Sequence, residues 1–441
     1  MKEPQLNIPK EPHELKRFKT ALLIATYSPG ADRALCEEFL NELERLCETF
    51  GLQVVDKIPC SIRKIDAATF LGEGKIDELV AKAEKAGAEV IIFDDEISPQ
   101  QQRNLEKIFQ KPVIDRTELI IEVFAQRAQT NEARLQIELA KIRYQIPRLK
   151  RLWTHLERQA GGGGFMGGPG EKQIELDKRM LKHRMIRLEK EIKAVAAKRE
   201  VQRSLRLRTG VPTFAIVGYT NAGKSTLLKA LTKAEVLVED KLFATLDTTT
   251  RKFILPNKQE ILLVDTVGFI RKIPHTLVAA FKSTLEEAVH TDILLHLIDV
   301  SSTNPEQQAE ATHEVLKELH ALDHPIITVL NKIDQCENPL VLQKLRIKYP
   351  KTVEISALHG TGFDRLMEMM MQEVSNLRKR VKLRIPQSHY ALVSELMREG
   401  RVIQSEYEEN DILLIIEIPA ALEYKISQFI YDERSSSGSP S

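Results

Sequence analysis

The spacing of apolar residues changes character along the chain and divides it into segments. After a polar, proline-bearing lead-in at 1–17, residues 20–26 (TALLIAT) and 88–93 (AEVIIF) are short β-type runs. Stretches at 31–50, 75–85 and 99–108 read as helices. This alternation predicts an N-terminal α/β domain over 18–115 with a mostly parallel sheet. From 116 to 209 the period becomes that of a coiled coil. Leu135, Leu139, Ile142, Ile146, Leu149, Trp153 and Leu156 step by fours and threes, and Ile174, Leu181, Met185, Leu188, Ile192 and Val195 resume the rhythm. Pro147 sits inside the first seam and predicts a kink, because its nitrogen has no hydrogen to donate. Residues 161–170 hold seven of the chain's 20 glycines, so neither helix is expected to continue through them. The pattern is that of two antiparallel helices with a glycine tip.

Short strands return at 214–217, 261–264, 325–330 and 353–355, and 210–375 reads as a domain with a doubly wound sheet. A basic helix end at 378–382 opens the last segment, 376–431. Strand-like 383–385, a helix at 390–399, two alternating runs at 402–407 and 412–418, and a final helix at 423–431 make it a small α+β domain. The tail 432–441 (ERSSSGSPS in its last nine residues) is expected to be disordered. The fold class is therefore α/β and multi-domain.

Composition adds constraints. Among 441 residues, 42% are hydrophobic and 29% charged, as in soluble globular proteins. No apolar run approaches the ~20 residues that cross a bilayer. Peripheral membrane contact stays open. No signal peptide is visible, and Cys36, Cys47, Cys60 and Cys336 lack metal-ligand spacing, which together point to the reducing cytoplasm. The seams are short enough to close on each other, so a monomer is expected.

The net charge of +1 hides a segregation. Over 131–210 there are 20 Lys and Arg against 9 Asp and Glu. Arg148, Lys150, Arg151 and Arg158 precede the tip, and Lys172, Lys178, Arg179, Lys182 and Arg184 follow it. A solvated coiled-coil surface is one reading. An excess of two to one beside a glycine loop carrying Phe165 and Met166 favours the other, a polyanion such as RNA.

The chemistry concentrates at 212–226, PTFAIVGYTNAGKST. Here Gly218, Tyr219, Thr220, Asn221, Ala222, Gly223, Lys224 and Ser225 form G-x-x-x-x-G-K-S between a strand and a helical pattern. The glycines permit a backbone path whose N–H groups cradle phosphates. Lys224 is placed for the β/γ oxygens, and Ser225 to ligate Mg²⁺. Asp265, Thr266, Val267 and Gly268 end a strand, with Asp265 suited to hold Mg²⁺ through water and the Gly268 N–H to meet the γ-phosphate. Asn331, Lys332, Ile333 and Asp334 end another. A carboxylate at Asp334 accepts from guanine N1–H and its exocyclic amine, which adenine cannot offer, so the ligand is GTP or GDP. Ser356, Ala357 and Leu358 supply backbone to the guanine carbonyl.

Two other stretches carry weaker signals. Phe70-Leu71-Gly72-Glu73-Gly74-Lys75 is either a strand-to-helix turn or a second phosphate loop, and it lacks the full motif length. Asp94-Asp95-Glu96 reads as a solvated acidic loop in preference to a metal site.

With those residues in view, the chain resembles the HflX family of ribosome-associated GTPases. The likeness is carried by residues 70–75 (FLGEGK) and 115–120 (DRTELI), by GGGGFMGGPGEKQIELD, and by GYTNAGKST, and it covers about residues 20–430. It implies that Phe243, Ala244, Thr245, Leu246 and Asp247 are the first switch, with Thr245 on Mg²⁺. The family usually has proline after that aspartate, and Thr248 stands there. It also implies binding to the large ribosomal subunit and its rRNA, in splitting or rescue of stalled ribosomes or in biogenesis. Phe269 follows Gly268 where many GTPases have a glutamine that orients water, so hydrolysis by the free protein should be slow. No side chain is a certain catalyst. Lys224 and Asn221 are the candidate stabilisers of developing charge, Asn221 either through K⁺, as in related potassium-dependent GTPases, or only as a loop residue. A membrane-associated GTPase regulating a protein partner such as a protease is the alternative. A tRNA-modifying enzyme would need a catalytic Cys or cofactor loop outside the GTPase domain, and the sequence offers none.

Overall fold

The structure, a computed structural model, describes residues 15–30, 32–149, 169–208, 211–232, 242–243, 249–272, 290–408, 410–419 and 422–431. Trp153, Leu156, the glycine tip up to residue 168, residues 244–248 of the first switch, and the tail from 432 lie outside them.

Near the N-terminus, strands β1 (Thr20–Tyr27), β2 (Gln53–Ser61), β3 (Val90–Phe93) and β4 (Val113–Asp115) form one parallel sheet in the order β2-β1-β3-β4. Helices α1 (Arg33–Phe50), α2 (Glu73–Lys85), α3 (Pro99–Phe109) and α4 (Arg116–Arg127) cover it. One face is packed by Ile76, Leu79 and Ala83 of α2 with Leu105 and Phe109 of α3, the other by Leu40, Leu43 and Leu46 of α1 with Leu119, Ile120 and Val123 of α4. Asp32 caps α1, accepting from the Ala34 N–H at 2.8 Å, and Gly51 ends it at φ +100°. Helix α4, read from the sequence as the head of the hairpin, is thus part of the N-terminal core.

The coiled coil pairs α5 (Asn131–Gln145) with α6 (Pro169–Arg208). Leu135, Leu139 and Ile142 close on Leu188, flanked by Leu181, Met185 and Ile192. At Pro147 the first helix tightens to a 3-10 turn, Ile146–Arg148. Pro169 and Gly170, assigned from the sequence to the tip, are already helical.

The central domain has β5 (Thr213–Gly218), β6 (Thr249–Ile254), β7 (Glu260–Asp265), β8 (Ile293–Asp299), β9 (Ile326–Asn331) and β10 (Thr352–Glu354). Their order is β10-β9-β8-β5-β7-β6, parallel except for β6, which pairs antiparallel with β7. Helices α7 (Lys224–Thr232), α8 (Pro305–Glu318), α9 (Pro339–Lys348) and α10 (Phe363–Asn376) complete it. Thr249 and Thr250, just after the first-switch segment, lie in β6 opposite Asp265 and Val264.

In the last segment, β11 (Arg378–Pro386), β12 (Arg401–Glu408) and β13 (Asp411–Pro419) form an antiparallel sheet with β13 central, backed by α11 (Tyr390–Glu399). The basic stretch at 378–382 is therefore strand, not helix end: Val381, Leu383 and Ile385 alternate with its cations and pack inward. The helix expected over 423–431 is shorter, Glu423–Ile426 followed by a 3-10 turn at Ser427–Phe429.

Candidate active site

Four strand ends converge at the carboxyl edge of the central sheet. Residues 218–223 turn sharply out of β5 into α7. A Cβ at Gly218 would collide with the Leu297 carbonyl, and one at Gly223, at φ +94°, with the Asn331 side chain. Only glycine fits both places. Lys224 is buried, its Nζ donating to the carbonyls of Tyr219 at 2.8 Å and Gly218 at 3.1 Å. Burial lowers its pKa to about 8, against the opposing pull of Asp265. Among the described residues its hydrogen bonds go to these two backbone carbonyls.

The Ser225 hydroxyl donates to Asp265 at 2.8 Å. A hydroxyl and a buried carboxylate side by side are the hard oxygen donors that suit Mg²⁺, so the residues fit that ion. The Thr220 hydroxyl is buried with no partner among the described residues. A Cβ on Gly268 would lie 2.9 Å from Lys224 Nζ, so the glycine keeps this space open. Thr266 instead braces the sheet, its hydroxyl donating to the Ile216 carbonyl at 2.7 Å, and Val267 is core. Phe269 is also core, 1% exposed, and its backbone pairs with Gly218 and Thr220. Its ring offers no group to a water.

Asn331 is a strut. Its amide donates to the Ala222 carbonyl at 2.8 Å and its oxygen accepts from the Ala357 N–H at 2.9 Å, tying the phosphate loop to residues 356–358. Lys332, at φ +64°, reaches Asp299 at 2.7 Å, and Ile333 packs in the neighbouring cluster. A hydrogen bond from the Ser356 hydroxyl holds the Asp334 carboxyl below its usual range, leaving it an ionised acceptor. Ala357 is buried and Leu358 is exposed. Asn221 sits at φ +61° in the loop. Of the first switch only Phe243 is described. It is buried at φ +54°, its ring edge-on to Phe124 of α4 at 4.4 Å.

What faces this site comes from a different domain. A cavity of about 1150 Å³ is walled by the phosphate loop with Asn331, Lys332, Asp334 and residues 356–358 on one side, and by α1 of the N-terminal domain on the other. An ionic cluster holds the two together. Arg116, 2% exposed, bridges Glu42 at 2.6 Å and Asp94 at 2.9 Å. Arg271, two residues beyond Phe269, reaches Asp94 at 3.0 Å and stacks 3.5 Å above the Phe39 ring centroid. Lys272 reaches Asp94 at 3.1 Å and Asp95 at 2.7 Å, and the Tyr219 hydroxyl donates to Glu42. Burial alone would raise the Asp94 carboxyl, but Arg116, Arg271 and Lys272 outweigh it and hold it at about 2. Asp94 and Asp95 are thus structural partners of the central domain, not a solvated loop. At the other stretch, residues 70–75, Gly72 is the N-cap of α2 with open space around it.

Three family models match the chain: GTP-binding GTPase N-terminal over 37–125, GTP-binding GTPase Middle Region over 127–206, and 50S ribosome-binding GTPase over 213–332. The GTPase HflX of Chlamydia pneumoniae is 45% identical over 415 residues, covering 93% of this chain and 88% of that protein. The GTPase HflX of Escherichia coli is 42% identical over 376 residues, covering 85% and 88%. Among solved structures, a GTP-binding protein of Sulfolobus solfataricus in complex with GDP is 26% identical, covering 81% of this chain and 99% of that one, with a TM-score of 0.43.

Proposed function

Since the chain belongs to the HflX family of GTPases and hydrolyses GTP, we propose that it does so on the large ribosomal subunit, in splitting or rescuing stalled ribosomes or in their biogenesis. The description of the family model at 213–332 as a 50S ribosome-binding GTPase carries this reading. The exposed Lys178, Arg179 and Lys182 on α6 support it, offering cations to an RNA backbone. Cytoplasmic location and a monomeric state belong to the same proposal. Among the described residues no helix is long and apolar enough to cross a membrane.

In the proposed mechanism the phosphate loop, Lys224 and the Gly268 N–H bind the triphosphate, while Asp334 and residues 356–358 select guanine. Mg²⁺ held by Ser225, by Thr245, and through water by Asp265 would offset charge on the β- and γ-phosphate oxygens. K⁺ near Asn221 would add to that where the asparagine serves as a ligand. Because Phe269 positions no water, the hydrolytic arrangement is completed by a group from the partner. Sedimentation with purified ribosomal subunits tests the partner: the protein should travel with the large subunit in the presence of a non-hydrolysable GTP analogue. Failure to do so in low salt would refute the assignment.

A further inference from the structure

Helix α1 is not a bystander to the nucleotide. Glu38, Glu42 and Arg45, spaced by four and three, lie on one face of it and line the cavity. The two acids are engaged, Glu38 by the Asn304 amide and Glu42 by Arg116 and Tyr219. Arg45 is exposed and its side chain makes no hydrogen bond or ion pair among the described residues. Two other cations on the cavity wall are taken, Arg271 by Asp94 and Lys332 by Asp299. We infer that Arg45 is a ligand for the phosphates of the bound guanine nucleotide, which makes the N-terminal domain part of the nucleotide site. The inference rests on the nucleotide-site assignment above.

Position and charge both argue for phosphate in preference to base. Helix α1 is anchored on each side of Arg45 to phosphate-end elements: Glu42 holds Tyr219 of the phosphate loop, and Thr49 Oγ1 accepts from the Leu242 N–H, at the head of the first switch, at 3.2 Å. Arg45 lies one turn from each anchor. A nucleotide brings several negative charges against a wall that already carries Glu38, Glu42 and Glu48. One uncommitted guanidinium offsets that repulsion, and its planar fork matches two phosphate oxygens.

The test titrates the full chain with fluorescent GDP and displaces it with GTP, GDP and guanosine, for the parent and for Arg45→Ala, Arg45→Lys and Arg33→Ala. Arg45→Ala should weaken GDP and GTP about tenfold, mostly through faster release, and leave guanosine unchanged. Lysine should restore part of the loss. Arg33→Ala, on the same helix but paired in the open with Glu37, should change nothing. Affinities for GDP and GTP within twofold of the parent in Arg45→Ala would overturn the inference. So would an equal loss for guanosine, which would mean a displaced helix. Thermal melting checks the fold, and Arg45→Gln replaces the alanine variant should that one melt early. Asp334→Asn is run in parallel. If it shifts base preference while Arg45→Ala is silent, the nucleotide site stands and only the contact from α1 falls. If both are silent, the site assignment fails as well.

Discussion

The proposed reading of guanine by Asp334 needs an ionised, acceptor-only carboxylate, and the Ser356 hydroxyl bonded to it favours that form. Asp334→Asn presents an amide that cannot accept both N–H groups, so affinity should move from GTP towards XTP. Competition binding with the two nucleotides measures this, and an unchanged preference for GTP would refute the role. A second residue illustrates the opposite use of burial. His296, inside β8, is fully buried, and neither ring nitrogen has a partner among the described residues. Burial, and then His313 with its ring 5.1 Å away, push its pKa down to about 3. The folded state keeps it neutral while the unfolded chain protonates it near 6.5, so protons favour unfolding. Its contribution is intact above about pH 6.5 and falls below it, by about 2 kcal/mol between pH 7 and pH 5. Urea unfolding at the two pH values should show this loss, and His296→Leu should flatten it.

At the scale of elements, the hairpin separates two kinds of basic residue that look identical in sequence. Lys178 and Lys182 are exposed on α6. Arg148, counted among the tip's cations from its place in the sequence, is buried. It donates to Gln102 at 3.0 Å and to the Ile97 carbonyl at 2.9 Å, and pairs with Asp115 at 3.3 Å, a fully buried carboxyl that burial pushes up to about 6. Lys178→Glu with Lys182→Glu should weaken binding to ribosomal RNA and flatten its salt dependence, with the fold intact. Arg148→Ala should cost about 3–5 kcal/mol of stability, because it strands Asp115. Denaturant titration and binding isotherms across salt tell the two effects apart. The seams and the phosphate loop were legible because each depends on local spacing. Strands β2, β6 and β8 were not. In β2, Asp56, Lys57 and Pro59 break the apolar pattern of an edge strand. In β6 every residue is exposed or only half-buried, and β8 carries a histidine at a position where the sheet demands a core residue.

For the whole molecule, the arrangement that sequence could not convey is the closing of the N-terminal domain over the nucleotide cavity. It depends on Glu42, Asp94, Arg116, Tyr219 and Arg271 meeting in one buried cluster. Those residues are far apart in the chain, and no periodicity links them. The same closure explains why the acidic loop after β3 looked solvated. Its partners, Arg271 and Lys272, lie about 180 residues downstream, directly after the Gly268-Phe269 pair that would sense the γ-phosphate. Phe269 is packed in the core and offers nothing to water, so the proposal is that hydrolysis by the free protein is slow and that the ribosome supplies what speeds it. The most direct test is the rate of GTP hydrolysis by the purified protein alone and with isolated large ribosomal subunits, in potassium buffer. Stimulation of at least ~10-fold by the subunits is the expected result; equal rates with and without them would contradict the account.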